Sequence, residues 1–255
     1  VIKKILFLLC LLPSIAFGQT GAGKAQVNII GYNPSVSTTA STLWSGGATS
    51  YVQLTAATPM EVVSASANDA AAGTGARTVK VEGLLSTYVP FTETVTLNGT
   101  TPVPLTNTTA IAINKTTVLT AGSGLVNAGK IDVRAISGAA VKSSIQAVVE
   151  SQGESADFVY TVPADTQGML KSVRVYARSS TGDMWVYIKT QSSTGVVRVK
   201  AIGQAALDVT AFNKGYIEFD FGTGLLIPEK TLVTAVVDVS AGTPLVSAIG
   251  ELDLY

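Results

Sequence analysis

In DMWVYIKT, residues 183–190, side chains of opposite character alternate: Val186 and Ile188 share one side of an extended chain, and Trp185, Tyr187 and Lys189 share the other. Successive Cβ atoms of a strand point to opposite faces, so this pattern belongs to a strand with one β-branched core face and one large, amphipathic face. YIEFDF behaves the same way, with Ile217, Phe219 and Phe221 on one face and Tyr216, Glu218 and Asp220 on the wetter one. Comparable runs recur along the chain. Before residue 136 they are QVNII, YVQL, MEVVSAS, RTVKVEG, TETVTL, TTAIAINKTTVLT and KIDVRA. After residue 155 they are DFVYTV, MLKSVRVYARS, DMWVYIKT, VVRVKAI, GYIEFDFG, TLVTAVVDV and PLVSAIGELDLY. Short alternating strands separated by turn residues predict a sandwich or jelly roll. Only 13% of residues are charged, which leaves little material for amphipathic helices and reinforces an all-β reading.

Turn chemistry divides these runs. Asn98-Gly99 is the pair that a type I′ hairpin favours, and it predicts a hairpin between TETVTL and TTPVPL. AAAGTGA, residues 70–76, reads as a tight turn through Gly73 and Gly75, since no helix follows it. Trp44, before a Gly turn, reads as a packing anchor. Pro163 and Pro228 cannot donate to a ladder and are expected at strand ends, at corners of a sandwich. The segment 136–155 has Gly and Ser at both ends and reads as a connector, helical or extended. The organisation expected is a signal peptide over 1–18, an N-terminal β-sandwich over 19–135, a connector over 136–155, and a C-terminal β-sandwich or jelly-roll domain over 156–255.

The signal reading rests on the order of the first residues: basic VIKK, apolar ILFLLCLLPSIAF, then small residues at Ala16 and Gly18. The apolar run is short for a bilayer span, which needs roughly 20 residues, so a retained anchor is the weaker alternative. Leu9 is too large to precede an acylated cysteine at Cys10. FGQTGAGKA also places Gly18, Gly23 and Lys24 at the spacing of a phosphate-cradling loop. However, Ala25 stands where that loop needs a magnesium-ligating hydroxyl, and the following residues have no helical period. No cofactor is expected.

Composition excludes further chemistry. The chain has no His and one Cys, which leaves with the signal. Neither a His-dependent nucleophile nor a Cys/His zinc site can then be assembled. With 17 basic and 17 acidic side chains, loss of Lys3 and Lys4 leaves a formal charge of −2, and no basic run offers a footprint for nucleic acid. Asp165, Asp183, Asp208, Asp220 and Asp238 are scattered, with no calcium-loop spacing, so no metal site is expected. Glu218 and Asp220 lie two apart on one strand, roughly 6–7 Å between Cβ atoms. That is within glycosidase range, but alternating acids are also what a solvated sheet face looks like. The chain is read as a non-enzyme. Trp185, Tyr187 and Lys189 are the candidate contact residues, for a subunit interface, a partner or a glycan.

Three blocks carry a family resemblance: AAGTGARTV at Ala71–Val79, TETVTLNGT at Thr92–Thr100, and VLTAGSGLVNAG at Val118–Gly129. With the looser YTVPA element at Tyr160–Ala164, they resemble a recurrent family of tailed-bacteriophage virion structural proteins of unassigned role. The resemblance implies a non-enzymatic, oligomeric β protein on a particle surface, such as a head fibre, decoration or tail-associated component, with a trimer among the states to expect. It carries over no catalytic residue. Its partners would be copies of itself and other virion components. The signal-like N-terminus departs from that family and supports an alternative: an exported bacterial surface or secreted module that contacts glycan or cell-wall material. Localisation is then either extracellular after cleavage or the virion surface. N-terminal sequencing of protein made in an exporting bacterium is expected to begin at Gln19; a product beginning at Val1 would remove the signal reading.

Overall fold

The computed structural model describes residues 25–46, 50–136, 140–147, 153–178, 181–207 and 215–255. The expected signal segment, Cys10, Gly18, Gly23, Lys24 and Asp208 lie outside them. The described residues are all-β, with sixteen strands and antiparallel pairing throughout. Ala25, after the phosphate-loop-like spacing, opens a strand and not a helix.

Two sandwiches form. In the larger, one sheet has the order β1 (Ala25–Asn33), β16 (Leu245–Leu254), β11 (Gly168–Arg178), β14 (Tyr216–Ile227). The facing sheet runs β10 (Val159–Thr161), β15 (Leu232–Val239), β12 (Asp183–Gln191), β13 (Val197–Ala206), with β2 (Ser41–Thr42) also paired to β15. Their inner faces meet in one core that includes Leu170, Val173 and Val175 from one side and Val186, Ile188 and Val237 from the other, together with the fully buried Phe158. In the smaller sandwich β5 (Pro90–Thr96), β4 (Ala76–Leu85) and β7 (Ala110–Ala121) face β6 (Val103–Pro104), β3 (Met60–Ser64), β8 (Ile131–Ala135) and β9 (Val141–Ile145). Val79, Val81 and Ile113 pack there against Met60, Val62, Ile131 and Val133.

Strand pairing departs from the expected boundaries at 19–135 and 156–255. QVNII lies in β1 and pairs along its length with β16, from Ala25↔Leu254 to Asn33↔Val246. β2 pairs with β15. Both are early in sequence but belong to the large sandwich, so the small sandwich is inserted between β2 and β10. The 136–155 connector likewise contains a strand, β9, which pairs with β8. YVQL forms no strand. Side chains take over its backbone groups: Tyr51 N–H donates to Thr42 Oγ1 at 2.9 Å and Lys142 Nζ donates to the Val52 carbonyl at 2.6 Å.

Asn98-Gly99 does not close a hairpin either, because β5 and β6 lie in different sheets. Gly99 alone takes a positive φ, of 61°, where a type I′ turn needs both residues there. The pair makes a sheet-to-sheet corner, with Gly99 N–H donating to the Asp69 carbonyl at 2.7 Å. Pro163 and Pro228 do follow the ends of β10 and β14. Their turns are adjacent: Val162 and Lys230 N–H groups donate to Thr231 and Val162 carbonyls, and Asp165 N–H reaches Glu229 Oε2 at 2.7 Å.

The three sequence blocks that carry the resemblance converge on Asp69, which is fully buried. Its Oδ1 accepts from Ala76 N–H at 2.7 Å and Ala128 N–H at 2.8 Å, and its Oδ2 from Ser64 Oγ at 2.6 Å and Gly129 N–H at 2.8 Å. Gly75 is required by this approach, since a Cβ there would sit 2.1 Å from Asp69 Oδ1. The blocks are therefore the backbone of one corner of the small sandwich. Asp69→Ala strands four donors in the interior, and a buried donor without a partner costs about 1–3 kcal/mol. Urea melts of the full chain are expected to show a loss of at least about 3 kcal/mol; a loss under about 1 kcal/mol would mean that water replaces the carboxylate.

Candidate functional site

The side chains expected to form a contact surface lie on β12, the strand between β15 and β13. Val186 and Ile188 are fully buried, whereas Trp185, Tyr187 and Lys189 are half-buried on the outer face. Register fills in that face, because directly paired residues share a side of the sheet. Trp185 lies opposite Gln204 and Asp238, Tyr187 opposite Ile202 and Val236, and Lys189 opposite Val199 and Thr234. Lys189 Nζ stands 5.4 Å from the Tyr187 ring centroid. Ile202 is 63% exposed and Val199 48%, so an apolar strip continues past the aromatic pair onto the edge strand. Asp238 Oδ1 is buried with no hydrogen-bond partner among the described residues, and partial burial raises its carboxyl while Lys189 opposes the shift.

The other sequence candidates resolve differently. Trp44 is an anchor: it is buried with Val159 and Leu232 and meets the Tyr51 ring edge-on at 5.5 Å between centroids. Glu218 and Asp220 are outward on β14. Glu218 accepts from Tyr216 OH at 2.6 Å and from Arg174 Nε at 2.9 Å, and these contacts hold its carboxyl below the usual range. A general acid needs the opposite shift. Asp220 accepts from Gly222 N–H at 2.8 Å. No group of three or more acidic, Cys or His side chains that could hold a metal ion occurs among the described residues.

A cleft of about 280 Å³ opens between the two sandwiches. The large lobe contributes β1 and Tyr160, the small lobe contributes Glu82, Phe91 and Lys115, and the returning segment contributes Glu154. Lys115 lies directly opposite Glu82 across β4 and β7. Its ammonium pairs with Glu154 at 3.0 Å, while Glu82 pairs with Lys80 at 3.0 Å. Burial, with Glu82 as a second cause, pushes the Tyr160 hydroxyl up to about 12.

Behind the cleft lies the joint between the lobes. Asp157, 6% exposed, accepts from Ser45 N–H at 2.9 Å on the large-lobe side and from Ser143 Oγ at 2.9 Å and Ser144 N–H at 3.1 Å on β9. Ser143 Oγ in turn accepts from Thr116 Oγ1 at 2.9 Å. Asn114 spends both ends of its amide on the Thr161 backbone, each at 2.9 Å. Lys142 faces the same region, 5.5 Å from the Tyr51 ring centroid, and its ammonium is pushed down by burial. Sequence reading missed both joint and cleft. Their residues come from β1, β4, β5, β7, β9, β10 and β16 and from the segments around Ser45 and Asp157, and no local spacing links them.

Neither a protein-family model nor a curated protein matches the sequence. Among solved structures, infectious bursal disease virus Gt strain aligns at 10% identity and TM-score 0.24, over 91% of this chain and 72% of that one. The infectious bursal disease virus VP2 subviral particle aligns at 12% identity and TM-score 0.24, over 90% and 71%. A T13 particle of the same virus aligns at 11% identity and TM-score 0.26, over 91% and 69%. Likeness at these TM-scores establishes neither a shared fold nor a shared role.

Burial raises the Asp157 carboxyl to about 6, against the lowering effect of its three hydrogen bonds and with a further push from Asp132. A folded-state value above the unfolded one, about 3.9, means that the folded protein binds this proton more tightly. The resulting stability is fully present below about pH 4 and is lost as pH rises through about 6, an effect of about 2–3 kcal/mol. With no histidine in the chain, few other side chains titrate in that window. Melting temperature is expected to fall between pH 4.5 and 7.5, and Asp157→Asn is expected to flatten that slope; an equal slope in the variant would assign it elsewhere.

Proposed function

We propose that this chain is a non-enzymatic structural interaction protein that self-associates through the outer face of the β12–β13–β15 sheet, in the manner of a phage fibre or decoration component on a virion surface. The observation that carries the reading is that face. A half-buried Trp and Tyr continue into exposed Ile202 and Val199. Aromatic side chains on a rigid strand contribute large contact area at small entropic cost. The resemblance of Ala71–Val79, Thr92–Thr100 and Val118–Gly129 to phage virion proteins supports the particle setting. The second reading, an exported bacterial surface or secreted module, is favoured by the basic, apolar, small-residue order of residues 1–18.

The two faces of β12 separate folding from association. Trp185→Ala combined with Tyr187→Ala is expected to leave a folded monomer and weaken self-association at least about tenfold, read by sedimentation velocity over a concentration series. Val186→Asp places an unpaired carboxylate in the large core and is expected to unfold that sandwich. A wild-type chain that stays monomeric throughout, or a double variant that melts as early as Val186→Asp, would count against the contact face.

A further inference from the structure

The cleft between the lobes has a chemistry distinct from the outer sheet face. Its walls come from both sandwiches, the place where ligand clefts concentrate, and its volume of about 280 Å³ suits one small ring rather than an extended chain. Most of the floor is apolar, with Phe91, Leu84 and Leu254 among its residues. Of the polar side chains on its lining, Glu82 is paired with Lys80 from outside the cleft and Glu154 with Lys115 within it, each at 3.0 Å, while Asp157 is taken up by the joint and Asn114 by the Thr161 backbone. Tyr160 lines the same space, and its hydroxyl makes no hydrogen bond among the described residues.

This combination narrows the ligand class. A purely apolar ligand would cover the carboxylates, the ammonium and the Tyr160 hydroxyl without meeting them, leaving polar groups desolvated and unmatched. A charged ligand would compete with an ion pair already formed, and the pairs leave no net charge from these four side chains to attract it. A ligand with an apolar face and several neutral hydroxyls meets both requirements. Its C–H face rests on the floor and its hydroxyls donate to Glu82 or Glu154 and accept from Lys115 or Tyr160, in charge-assisted bonds stronger than neutral ones. We propose that the interlobe cleft binds a neutral saccharide, one sugar ring deep, with Tyr160 and Glu82 as its main hydrogen-bonding partners. This goes beyond self-association through the outer face and does not depend on it.

The test titrates the full chain with glucose, galactose, mannose and N-acetylglucosamine and their β-linked dimers, by calorimetry and saturation-transfer NMR. Methylamine and toluene serve as charged and apolar comparators. At least one neutral sugar is expected to saturate. Tyr160→Phe and Glu82→Gln are each expected to weaken it about three- to tenfold, the loss of one hydrogen bond, with unchanged melting temperature. The Trp185→Ala, Tyr187→Ala double variant is expected to bind the sugar as the wild type does. The proposal is overturned if no sugar saturates at tens of millimolar, if only methylamine or toluene binds, or if affinity survives both cleft substitutions. Loss of sugar binding in the outer-face variant alone would move the site to β12 and likewise overturn it.

Discussion

Because β1 pairs with β16, the first and last described strands close one sheet, and the chain from Trp44 to Asp157 leaves the large sandwich and re-enters it beside its point of exit. The two crossings touch at Asp157, which takes a donor from Ser45 on the way out and two from β9 on the way back. A buried carboxylate is an expensive joint, since desolvation outweighs its three hydrogen bonds and lifts its pKa to about 6. It is also a directional one. An apolar contact tolerates sliding, whereas three donors aimed at two oxygens fix the angle between lobes. The Trp44, Val159 and Leu232 cluster beneath adds area without direction. The cleft inherits its shape from this joint, because its two walls belong to different lobes.

How much of this was legible in the sequence depends on the range of the interaction. Strand positions follow from alternation, which is local, and β3, β4, β7, β8 and β11–β16 fall where the alternating runs place them. The parity of β12 was readable for the same reason: Val186 and Ile188 inward, Trp185 and Tyr187 outward. Pairing partners were not readable. QVNII bears no mark that sends it to the last strand instead of its neighbours, and its capture by β16 is what breaks the expected division at residue 135. Asn98-Gly99 shows the limit within a turn. The pair permits a hairpin, but Asp69 claims Gly99 N–H through its carbonyl and turns the chain into the other sheet.

Asp69 and Asp157 also show why buried acids escape sequence reading. Both stand in stretches of Ser, Ala and Gly that look like loop, SASANDAAAG and SQGESADF, and an acid in a loop is ordinarily solvated. Each is buried because backbone N–H groups from distant segments need an acceptor, a demand invisible until the segments meet. Glu82 and Lys115 are similar: alternation puts each on a strand, but only the register of β4 and β7 sets them side by side.

The geometry of the large sandwich further separates two routes by which copies could meet. β13 is an edge strand, and an exposed edge invites open-ended strand addition. Its register shifts between Ile188 and Lys189 of β12, which leaves Lys200 as the extra residue of a bulge on β13. Lys200 and neighbouring Arg198 are both exposed. A bulge and cations on an edge are the usual barriers to edge pairing. The apolar side chains of the same strand, Val199 and Ile202, instead continue the face begun by Trp185 and Tyr187. One strand thus discourages growth along the sheet and leaves contact open across it. Contact through a face can close with point symmetry, whereas edge addition need not stop. Under the proposed self-association, that asymmetry favours a closed oligomer over open-ended strand addition.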